Sequence, residues 1–491
     1  MQEPTVTDPG LRHARSLHPE QIPSLRLRRQ WAILEPGDPA PDGWPAVRLS
    51  QGLVLVYHPE TSIMSSMTPG QWGSILIGTA VQPLGRGGDV RPLLENPDLR
   101  ASEARTSLLH SLGGMYVLIY FNADGVLIHT DPGALMAVYY GDGRAASTPA
   151  LLPDLRRDVE LDMRYRFSGS DDWYPGDLCP YVGVKALLAN HVLDLASGQI
   201  ERFWPTQVPV SVDKTTGVGA ICEILRGMAR GYLDAGPCVY SLTGGQDSRV
   251  NLAAVRSWVE EIEFFTIRGS HIKPCDVKYA GELANRFGLD HRFVDNEDAP
   301  GWLRELHSEL CAGMETRGAS SVLGACRHLA SSEYTHVSGA LGAITKSMFW
   351  PSKRPTNVEV SALASEFLSR SDVLMTALER WRDSIDPSLP ATMVYNLMYL
   401  EQRGGRWQSV SELGSNLFYR PATLFSSRQL FEYVCAVPTE DQYGGSLLFD
   451  FTRSMWPDLL DVPYCRVTAN YGTYLPKWVR VGIKRILGRP V

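Results

Sequence analysis

Residues 239–250 read Val-Tyr-Ser-Leu-Thr-Gly-Gly-Gln-Asp-Ser-Arg-Val, so a short apolar run meets a Gly-Gly turn and then an Asp-Ser pair. This order predicts a strand, a phosphate-binding loop and a helix that starts near Ser248. Glycine lets a backbone bend sharply and approach an anion closely, and a helix start offers free N–H groups and a positive dipole end. The stretch therefore predicts a polyphosphate site.

Three side chains of this stretch suit a polyphosphate. The hydroxyls of Thr243 and Ser248 can donate hydrogen bonds to phosphate oxygens, and the carboxylate of Asp247 can hold a magnesium ion on them. The eleven histidines form no spacing typical of a metal box, so neither a zinc nor an iron site is predicted.

Strand and helix patterns alternate around this stretch. A helix is predicted first, over 216–233. After it come strands and helices in alternation, at 238–242, 249–258, 263–267, 277–287 and 291–294. Such alternation is typical of a parallel, helix-covered sheet, whose ligands bind at the carboxyl ends of the strands. From about 360 onward the pattern predicts helices.

The chain upstream predicts a mainly β domain. Short β-type runs are separated by turns, at 53–57, 74–78, 115–120, 126–129 and 137–140. Asn122-Ala123-Asp124-Gly125 predicts a hairpin turn between two of these runs. We therefore divide the chain into a loosely ordered N-terminal arm over 1–30, a β domain over 31–207 and a nucleotide-binding domain over 208–491.

Composition narrows the class of partner. The net charge of -7 argues against general affinity for nucleic acid or an anionic membrane, and small or peptide substrates are favoured. The eight cysteines show no C-x-x-C pair and predict reduced, mostly buried thiols. With neither a signal peptide nor a membrane span in the sequence, we expect a cytoplasmic protein.

Residues 241–248 resemble the S-G-G-x-D-S pyrophosphate loop of the asparagine synthetase family, whose members form an acyl-adenylate from ATP. The resemblance continues at Thr266-Ile267, where the family's strand backbone receives adenine, and in the glycine-containing loop of 334–342. Upstream segments are similar to the family's glutaminase-type domain, at 112–116, 130–134, 138–140, 180–188 and 201–205.

The resemblance implies an α/β plus α+β fold. An Ntn-hydrolase-like β-sandwich would precede a PP-loop (adenine nucleotide α-hydrolase-like) parallel-sheet synthetase domain with a helical extension. It implies ATP and Mg²⁺ as cofactors, with Asp247 as the metal ligand. The implied nucleotide-binding residues are Ser241, Thr243, Gly244, Gly245, Gln246, Ser248, Arg249, Thr266, Ile267, Gly339 and Gly342. The implied catalytic residues are Asp247, Lys346, and either Lys477 or Lys484, because the family keeps a lysine near its carboxyl end.

Three positions depart from the family pattern. Glutamine-using members carry a cysteine directly after the initiator methionine, whereas Gln2 stands here. Ala343 replaces an acidic residue that shares the magnesium, and Ala340 replaces the catalytic tyrosine of the β-lactam-forming branch. We therefore expect no glutaminase activity and no lactam synthesis by that pair, and Lys346 is a candidate to replace the lost charge.

The resemblance implies an AMP-forming amide ligase acting on a small-molecule or peptide carboxylate and an amine, as lasso-peptide macrolactam synthetases do. The alternative is a non-catalytic relative that binds nucleotide or a partner protein. A homodimer and a biosynthetic partner protein are compatible with either. The segment 399–407 resembles one in natural-product relatives, and its Arg403 and Arg406 are expected to pair with surface carboxylates.

Overall fold

The computed structural model describes residues 11–68, 72–85, 87–167, 172–270, 272–367 and 370–465. Within them, two antiparallel sheets of six strands each precede a parallel sheet of five strands. The mixed α/β architecture expected from the sequence is confirmed at this level. Among the described helices, none combines the length and the apolarity that crossing a bilayer requires.

Twelve strands form the antiparallel half. They are β1 (Trp31–Leu34), β2 (Ala46–Arg48), β3 (Val54–Tyr57), β4 (Ile63–Thr68), β5 (Trp72–Val81), β6 (Gly113–Asn122), β7 (Gly125–Thr130), β8 (Tyr139–Gly141), β9 (Arg144–Ala146), β10 (Lys185–Ala186), β11 (His191–Asp194) and β12 (Ile200–Arg202). One sheet has the order β10-β8-β9-β1-β3-β2 and the other β12-β11-β7-β6-β5-β4. The predicted hairpin turn joins β6 to β7.

Alternation along β6 explains how the two sheets pack. Val117 and Ile119 lie in a buried cluster shared with Ile33 and Leu55 of the other sheet. The intervening Leu118 packs instead on the opposite face, in a cluster with helical residues. Because successive strand residues point to opposite faces, one strand can serve both cores. Four short helices accompany this half, α1 (Ile22–Leu25), α2 (Arg91–Leu94), α3 (Ser102–Ser111) and α4 (Val159–Tyr165).

The parallel sheet places the predicted phosphate loop near its centre. Its strands are β13 (Cys238–Ser241), β14 (Glu263–Arg268), β15 (His291–Asp295), β16 (Thr335–Ser338) and β17 (Arg420–Thr423). The order is β15-β14-β13-β16-β17. The chain leaves β13 first towards β14 and β15 and later returns to the other side of β13. The loop after β13 therefore lies at a topological switch point, where open α/β sheets bind ligands.

Helices cover this sheet and extend beyond it. They are α5 (Lys214–Ala235), α6 (Gln246–Ala254), α7 (Pro274–Phe287), α8 (Gly301–Leu310), α9 (Arg317–Ser320), α10 (Leu323–Cys326), α11 (Val360–Leu363), α12 (Asp372–Asp383), α13 (Ala391–Met398), α14 (Ser409–Ser415), α15 (Arg428–Ala436), α16 (Thr439–Gln442) and α17 (Ser446–Met455). A π-helix, Tyr399–Gln408, joins α13 to α14.

The prediction of a loosely ordered arm is wrong for residues 11–30, which we name the N-terminal strap. Leu11, Leu17 and Leu25 are buried in a cluster with residues of the parallel-sheet half. The Arg12 backbone N–H donates to the Glu263 carboxylate at 2.9 Å, and its guanidinium pairs with the same group. The Arg12 side chain stays partly exposed and pairs with the acidic side chains of Glu263 and Asp290, so its charge is compatible with an ordered segment.

The π-helix connects the two halves through a buried carboxylate. Glu401 is completely buried and accepts bonds from the Arg202 guanidinium at 2.5 and 2.8 Å and from the Trp381 indole at 2.7 Å. Burial alone would raise the pKa of Glu401, but the charge and hydrogen bonds of Arg202 together with His191 and Trp381 outweigh it, so the pKa lies below its ordinary value. Arg406 is also buried and donates to the carbonyls of Tyr174 and Leu178. The expectation that Arg406 pairs with a surface carboxylate is therefore wrong.

Two cysteines depart from the predicted reduced state. Cys275 and Cys465 form a disulfide across 190 residues of sequence, with their Cα atoms 5.3 Å apart. The other six cysteines are free thiols, and five of them are buried as the sequence predicted.

Candidate functional site

Two hydroxyl groups brace the loop between β13 and α6. The Thr243 hydroxyl lies 2.9 Å from the Ser248 hydroxyl and accepts the Gly245 N–H at 3.0 Å. The Ser248 hydroxyl in turn accepts the Thr243 N–H at 3.2 Å. The loop is thus held in shape by two side chains five residues apart in the sequence, and Gly245 stands at the N-cap of α6. The helix begins at Gln246, two residues before the predicted start.

Gly244 has no room for a side chain. A Cβ there would lie 2.9 Å from the Cys275 carbonyl oxygen, 3.1 Å from the Cys465 Cβ and 3.2 Å from the Tyr279 Cβ. Its N–H donates to the Asp276 carbonyl at 3.1 Å, and its carbonyl accepts the Cys465 N–H at 2.8 Å. Glycine is therefore needed here because two other segments of backbone pack against the loop.

Asp247 and Lys346 form the charged centre of the site. The Lys346 ammonium lies 2.5 Å from Asp247 Oδ2, and both side chains are about a quarter exposed, at 28% and 27%. Asp247 Oδ1 is buried and has no hydrogen-bond partner among the described residues. A buried carboxylate oxygen without a partner is costly, so this atom suits a cation such as Mg²⁺.

Whether the Asp247 site fits magnesium depends on the phosphates of a bound substrate as well as on the protein. Within the described ranges, no group of three His, Cys, Asp or Glu side chains surrounds Asp247 or any other point. Mg²⁺ commonly keeps several waters and takes one or two carboxylates together with substrate phosphates. A single carboxylate oxygen therefore fits a metal that arrives with a polyphosphate, not a closed protein cage.

The loop after β16 presses two glycines against Asp247. A Cβ on Gly339 would lie 2.8 Å from the Asp247 Cβ, and one on Gly342 would lie 2.5 Å from Asp247 Oδ1. Leu341 between them has a φ of 62°, which turns the chain sharply. The two loops on which the resemblance places nucleotide-binding residues are thus in contact, and Lys346 follows the second one.

Tyr399 and Ala343 lie beside this pair. The Tyr399 side chain is buried, and burial together with the nearby Asp247 charge raises the pKa of its phenol. Ala340 is buried, and its carbonyl accepts the Thr423 hydroxyl at 2.6 Å. The phenol stays protonated at neutral pH, so Asp247 is the acidic group that faces Lys346.

Thr266 and Ile267 lie on the strand next to the loop. The Thr266 hydroxyl donates to the Leu242 carbonyl at 2.6 Å and lies 2.8 Å from His291 Nε2. Burial lowers the pKa of His291 to about 4, so the imidazole is neutral at pH 7. Thr266 therefore ties β14 to the start of the phosphate loop, and Ile267 follows it towards the carboxyl end of the strand.

Arg249 does not face the predicted nucleotide site. Its side chain is fully buried and donates to the carbonyls of Leu459 at 3.2 Å, Pro463 at 2.9 Å and Val462. The Tyr464 ring centre lies 3.7 Å from its guanidinium carbon. We correct its predicted nucleotide-binding role to the anchoring of residues 459–464. Lys477 and Lys484 lie outside the described residues.

The sequence did not reveal three neighbours of the site. Cys275 and Cys465 flank Gly244, and a Cβ on Gly445 would lie 3.5 Å from the Lys346 side chain. A separation of 190 residues hides the cysteine pair from any local pattern. For Gly445 the sequence does carry a local signal, the Gly444-Gly445 dipeptide. Both residues have a φ of 81°, a backbone conformation that favours glycine.

No protein-family model matches this chain, and no curated protein matches it. The solved structures that are similar to it include a synthetase and an amidotransferase. Glutamine-dependent NAD+ synthetase from Acinetobacter baumannii, in complex with ADP, is 17% identical, and the match covers 30% of this chain and 28% of that one, with a TM-score of 0.18. The glutamine phosphoribosylpyrophosphate amidotransferase of B. subtilis, complexed with ADP and GMP, is 11% identical over 65% of this chain and 77% of its own, with a TM-score of 0.22. At these identities and TM-scores, neither protein's function can be assigned to this chain.

Proposed function

We propose that this protein is an ATP-dependent amide ligase that activates a carboxylate as an acyl-adenylate and does not hydrolyse glutamine. The observation that carries the proposal is the Asp247–Lys346 pair beside a hydroxyl-braced loop at the switch point of a parallel sheet. Fixed positive and hydrogen-bonding groups at such a point favour a bound polyphosphate, and Asp247 supports a metal on it.

The proposed reaction has two steps. A substrate carboxylate oxygen attacks the α-phosphorus of ATP, and the bond to the β-phosphate oxygen breaks to release pyrophosphate. An amine nitrogen then attacks the acyl carbon, loses a proton, and displaces AMP with the electron pair of the C–O bond. Bound Mg²⁺ would supply charge neutralisation on the phosphates.

The residues of this chain act mainly through electrostatics in that scheme. The N–H groups at the start of α6 and the Lys346 ammonium stabilise negative charge that grows on the leaving pyrophosphate. Asp247 holds Lys346 in place through Oδ2 and offers Oδ1 to the metal. The backbone at Thr266-Ile267 is the proposed contact for adenine, because it ends beside the loop. A lysine from the C-terminal region, Lys477 or Lys484, remains part of the proposal.

Glutamine is excluded as a nitrogen donor in this proposal. Gln2 lies outside the described residues, and an amide side chain at that position cannot attack the amide carbon of a substrate. We therefore expect no release of glutamate from glutamine by the purified protein, with or without ATP and a carboxylate. ATP-stimulated glutamate release would contradict this part of the proposal.

A non-catalytic nucleotide-binding protein is the second candidate. Ala343 and Ala340 favour it, since neither side chain can bind a metal or move a proton. The two candidates differ in one measurable way, because a binder retains ATP but produces neither acyl-AMP nor pyrophosphate from any carboxylate.

The test is pyrophosphate release against a panel of carboxylates and amines, with mass spectrometry for acyl-AMP. Asp247→Asn keeps the volume of the side chain but removes its charge, so we expect turnover to fall by about 100-fold or more. Asp372→Asn is the matched control, because Asp372 is an exposed partner of Arg164 far from the loop in sequence. Full turnover by a folded Asp247→Asn variant would overturn the proposed metal ligand.

Lys346 can be tested with a charge-conserving pair of variants. Lys346→Met removes the ammonium beside Asp247 Oδ2, and we expect kcat to fall about 100-fold while the KM for ATP changes less. Lys346→Arg keeps a cation and should retain a larger share of the activity. Equal losses in both variants would assign Lys346 to packing, not to the charge on the leaving group.

A further inference from the structure

The segment 459–465, which we name the C-terminal clamp, lies directly on the phosphate loop. The Cys465 N–H donates to the Gly244 carbonyl, and the Gly244 N–H donates to the carbonyl of Asp276, next to Cys275. The two residues joined by the disulfide therefore border the same glycine from two sides. Both backbone hydrogen-bonding groups of Gly244 are taken up by the segments that this disulfide links.

Arg249 ties the same clamp to the helix that follows the loop. Its guanidinium donates to three backbone carbonyls of the clamp, those of Leu459, Val462 and Pro463, and contacts the Tyr464 ring. The clamp is thus fixed at Arg249 independently of the disulfide. Breaking the disulfide would free Cys465 and the loop contact, while the anchor at Arg249 would stay.

Exposure separates this pair of cysteines from five of the six free thiols, and burial raises the pKa of the sixth, the half-buried Cys435, to about 11. Cys275 and Cys465 are both half-buried, so a small thiol in solution can reach them. By contrast Cys222 and Cys326 are buried, and burial raises the pKa of each thiol to about 11, which suppresses the reactive thiolate. Thiol–disulfide exchange is therefore directed to the pair at the phosphate loop.

We propose that the Cys275–Cys465 disulfide is a redox-dependent clamp that orders the phosphate loop and strengthens its binding of ATP. The disulfide removes the freedom of Cys465 relative to Gly244, so less conformational entropy is lost when a polyphosphate binds. The effect on ATP rests on the proposed function, whereas the exchange of the disulfide itself does not.

The redox step uses a dithiol as the reductant. A thiolate of the dithiol attacks one sulfur and forms a mixed disulfide, and its second thiol then closes the ring of the oxidised dithiol. Cys275 and Cys465 each end as a thiol, so that two electrons and two protons pass to the protein. Oxidation reverses the step with a low-molecular-weight disulfide, such as oxidised glutathione, as the acceptor of electrons.

The first measurement is ATP affinity by calorimetry on the full chain, oxidised with oxidised glutathione or reduced with dithiothreitol. We expect reduction to weaken ATP binding by about tenfold, within the usual range of coupling between two sites. Cys275→Ser and Cys465→Ser should each bind ATP as the reduced protein does under both conditions. Cys435→Ser changes a half-buried free thiol and should keep the full redox dependence.

Linkage supplies a second and reciprocal measurement. If oxidation strengthens ATP binding tenfold, saturating ATP must shift the thiol–disulfide equilibrium towards the disulfide by the same factor. Peptide mapping after equilibration in glutathione buffers measures that ratio. The ratio should follow the fraction of protein with ATP bound as ATP is titrated, and it should return to its starting value when ATP is removed.

Different outcomes separate the clamp from the proposed ligase activity. Hydrogen exchange of the peptide around Gly244 should be faster after reduction even without nucleotide, so the clamp is measurable in a protein that binds no ATP. Redox-independent exchange at Gly244, or mapping that never finds Cys275 joined to Cys465, would overturn the clamp. Tighter ATP binding after reduction would also overturn it, because the disulfide would then obstruct the loop.

Discussion

At the scale of single residues, the site is organised by what surrounds Asp247. Its Oδ2 is held by Lys346, and its Oδ1 and Cβ face glycines that leave no room for a methyl group. The carboxylate therefore has one orientation, fixed by a charge on one side and by backbone on the other. This explains why the loop after β16 carries glycine at both Gly339 and Gly342.

Gly342→Ala tests that arrangement. The added Cβ would lie 2.5 Å from Asp247 Oδ1, so the carboxylate must turn away from the position offered to the metal. We expect ATP-dependent turnover to fall by about 10- to 100-fold, with a smaller effect on the temperature of unfolding.

Gly301→Ala is the control for this variant, because nothing lies within 4 Å of the position that its Cβ would occupy. It should leave turnover at the wild-type level. Wild-type turnover by Gly342→Ala as well would show that Oδ1 has no part in the reaction.

At the scale of elements, the π-helix Tyr399–Gln408 is the joint between the two halves of the molecule. It presents Glu401 to Arg202 of β12 and to Trp381 of α12, and it begins at Tyr399 beside Asp247. Because π-helical turns are rare and concentrate at functional sites, their cost is usually offset by a specific arrangement of side chains. Here that arrangement is a buried charge network next to the site.

Glu401→Gln should weaken the joint strongly. The change leaves the Arg202 guanidinium, itself only 11% exposed, without its carboxylate. Removal of one partner of a buried ion pair commonly costs about 3–5 kcal/mol of the free energy of unfolding. Chemical denaturation measures this loss. Glu440→Gln, which removes an exposed partner of Arg354, should unfold close to wild type, and equal effects of the two changes would contradict the argument.

Much of the element pattern could be predicted from periodicity. The helix predicted over 216–233 is Lys214–Ala235, and the three strands predicted at 238–242, 263–267 and 291–294 differ from their predicted limits by one residue at most. The strand β17 was missed, because Pro421 and a helical context obscure a four-residue edge strand. Its pairing with β16 is set by packing of distant parts of the chain, which no local pattern records.

The part of the candidate site that lies on one loop could be predicted from the sequence. Thr243, Gly244, Gly245, Asp247 and Ser248 come together as the sequence suggested, since they are neighbours in the chain. The arginine after them could not be placed, because whether Arg249 faces a ligand or the clamp depends on residues more than 200 positions away. The same distance hides the disulfide beside the loop.

At the scale of the whole molecule, buried histidines link stability to pH. Burial lowers the pKa of His191, His291 and His307 to about 4 and that of His129 and His336 to about 3. Between their ordinary value of 6.5 and these values, the unfolded chain binds more protons than the folded protein does. The free energy of unfolding contributed by these groups therefore falls as the pH falls below 6.5.

Two buried acids oppose this trend. Burial raises the pKa of Asp131 to about 6 and that of Glu412 to about 7, so the fold gains from their protonation as the pH falls. The five histidines outnumber them, and we expect the unfolding temperature to decline from pH 7 to pH 5. His336→Phe should make the decline shallower, whereas the same change at the exposed His18 should not. A flat profile in the wild type would contradict the prediction.

The N-terminal strap has a consequence for the synthesis of this protein. Arg28 donates to the Leu417 carbonyl, a partner that is translated 389 residues later. At about 5–20 residues per second, the strap leaves the ribosome about 20–80 seconds before that partner exists. The cluster that buries Leu11, Leu17 and Leu25 is complete only after late residues such as Phe418 have been made. The strap is therefore made well before the partners that hold it, and it can complete its docking only late in translation.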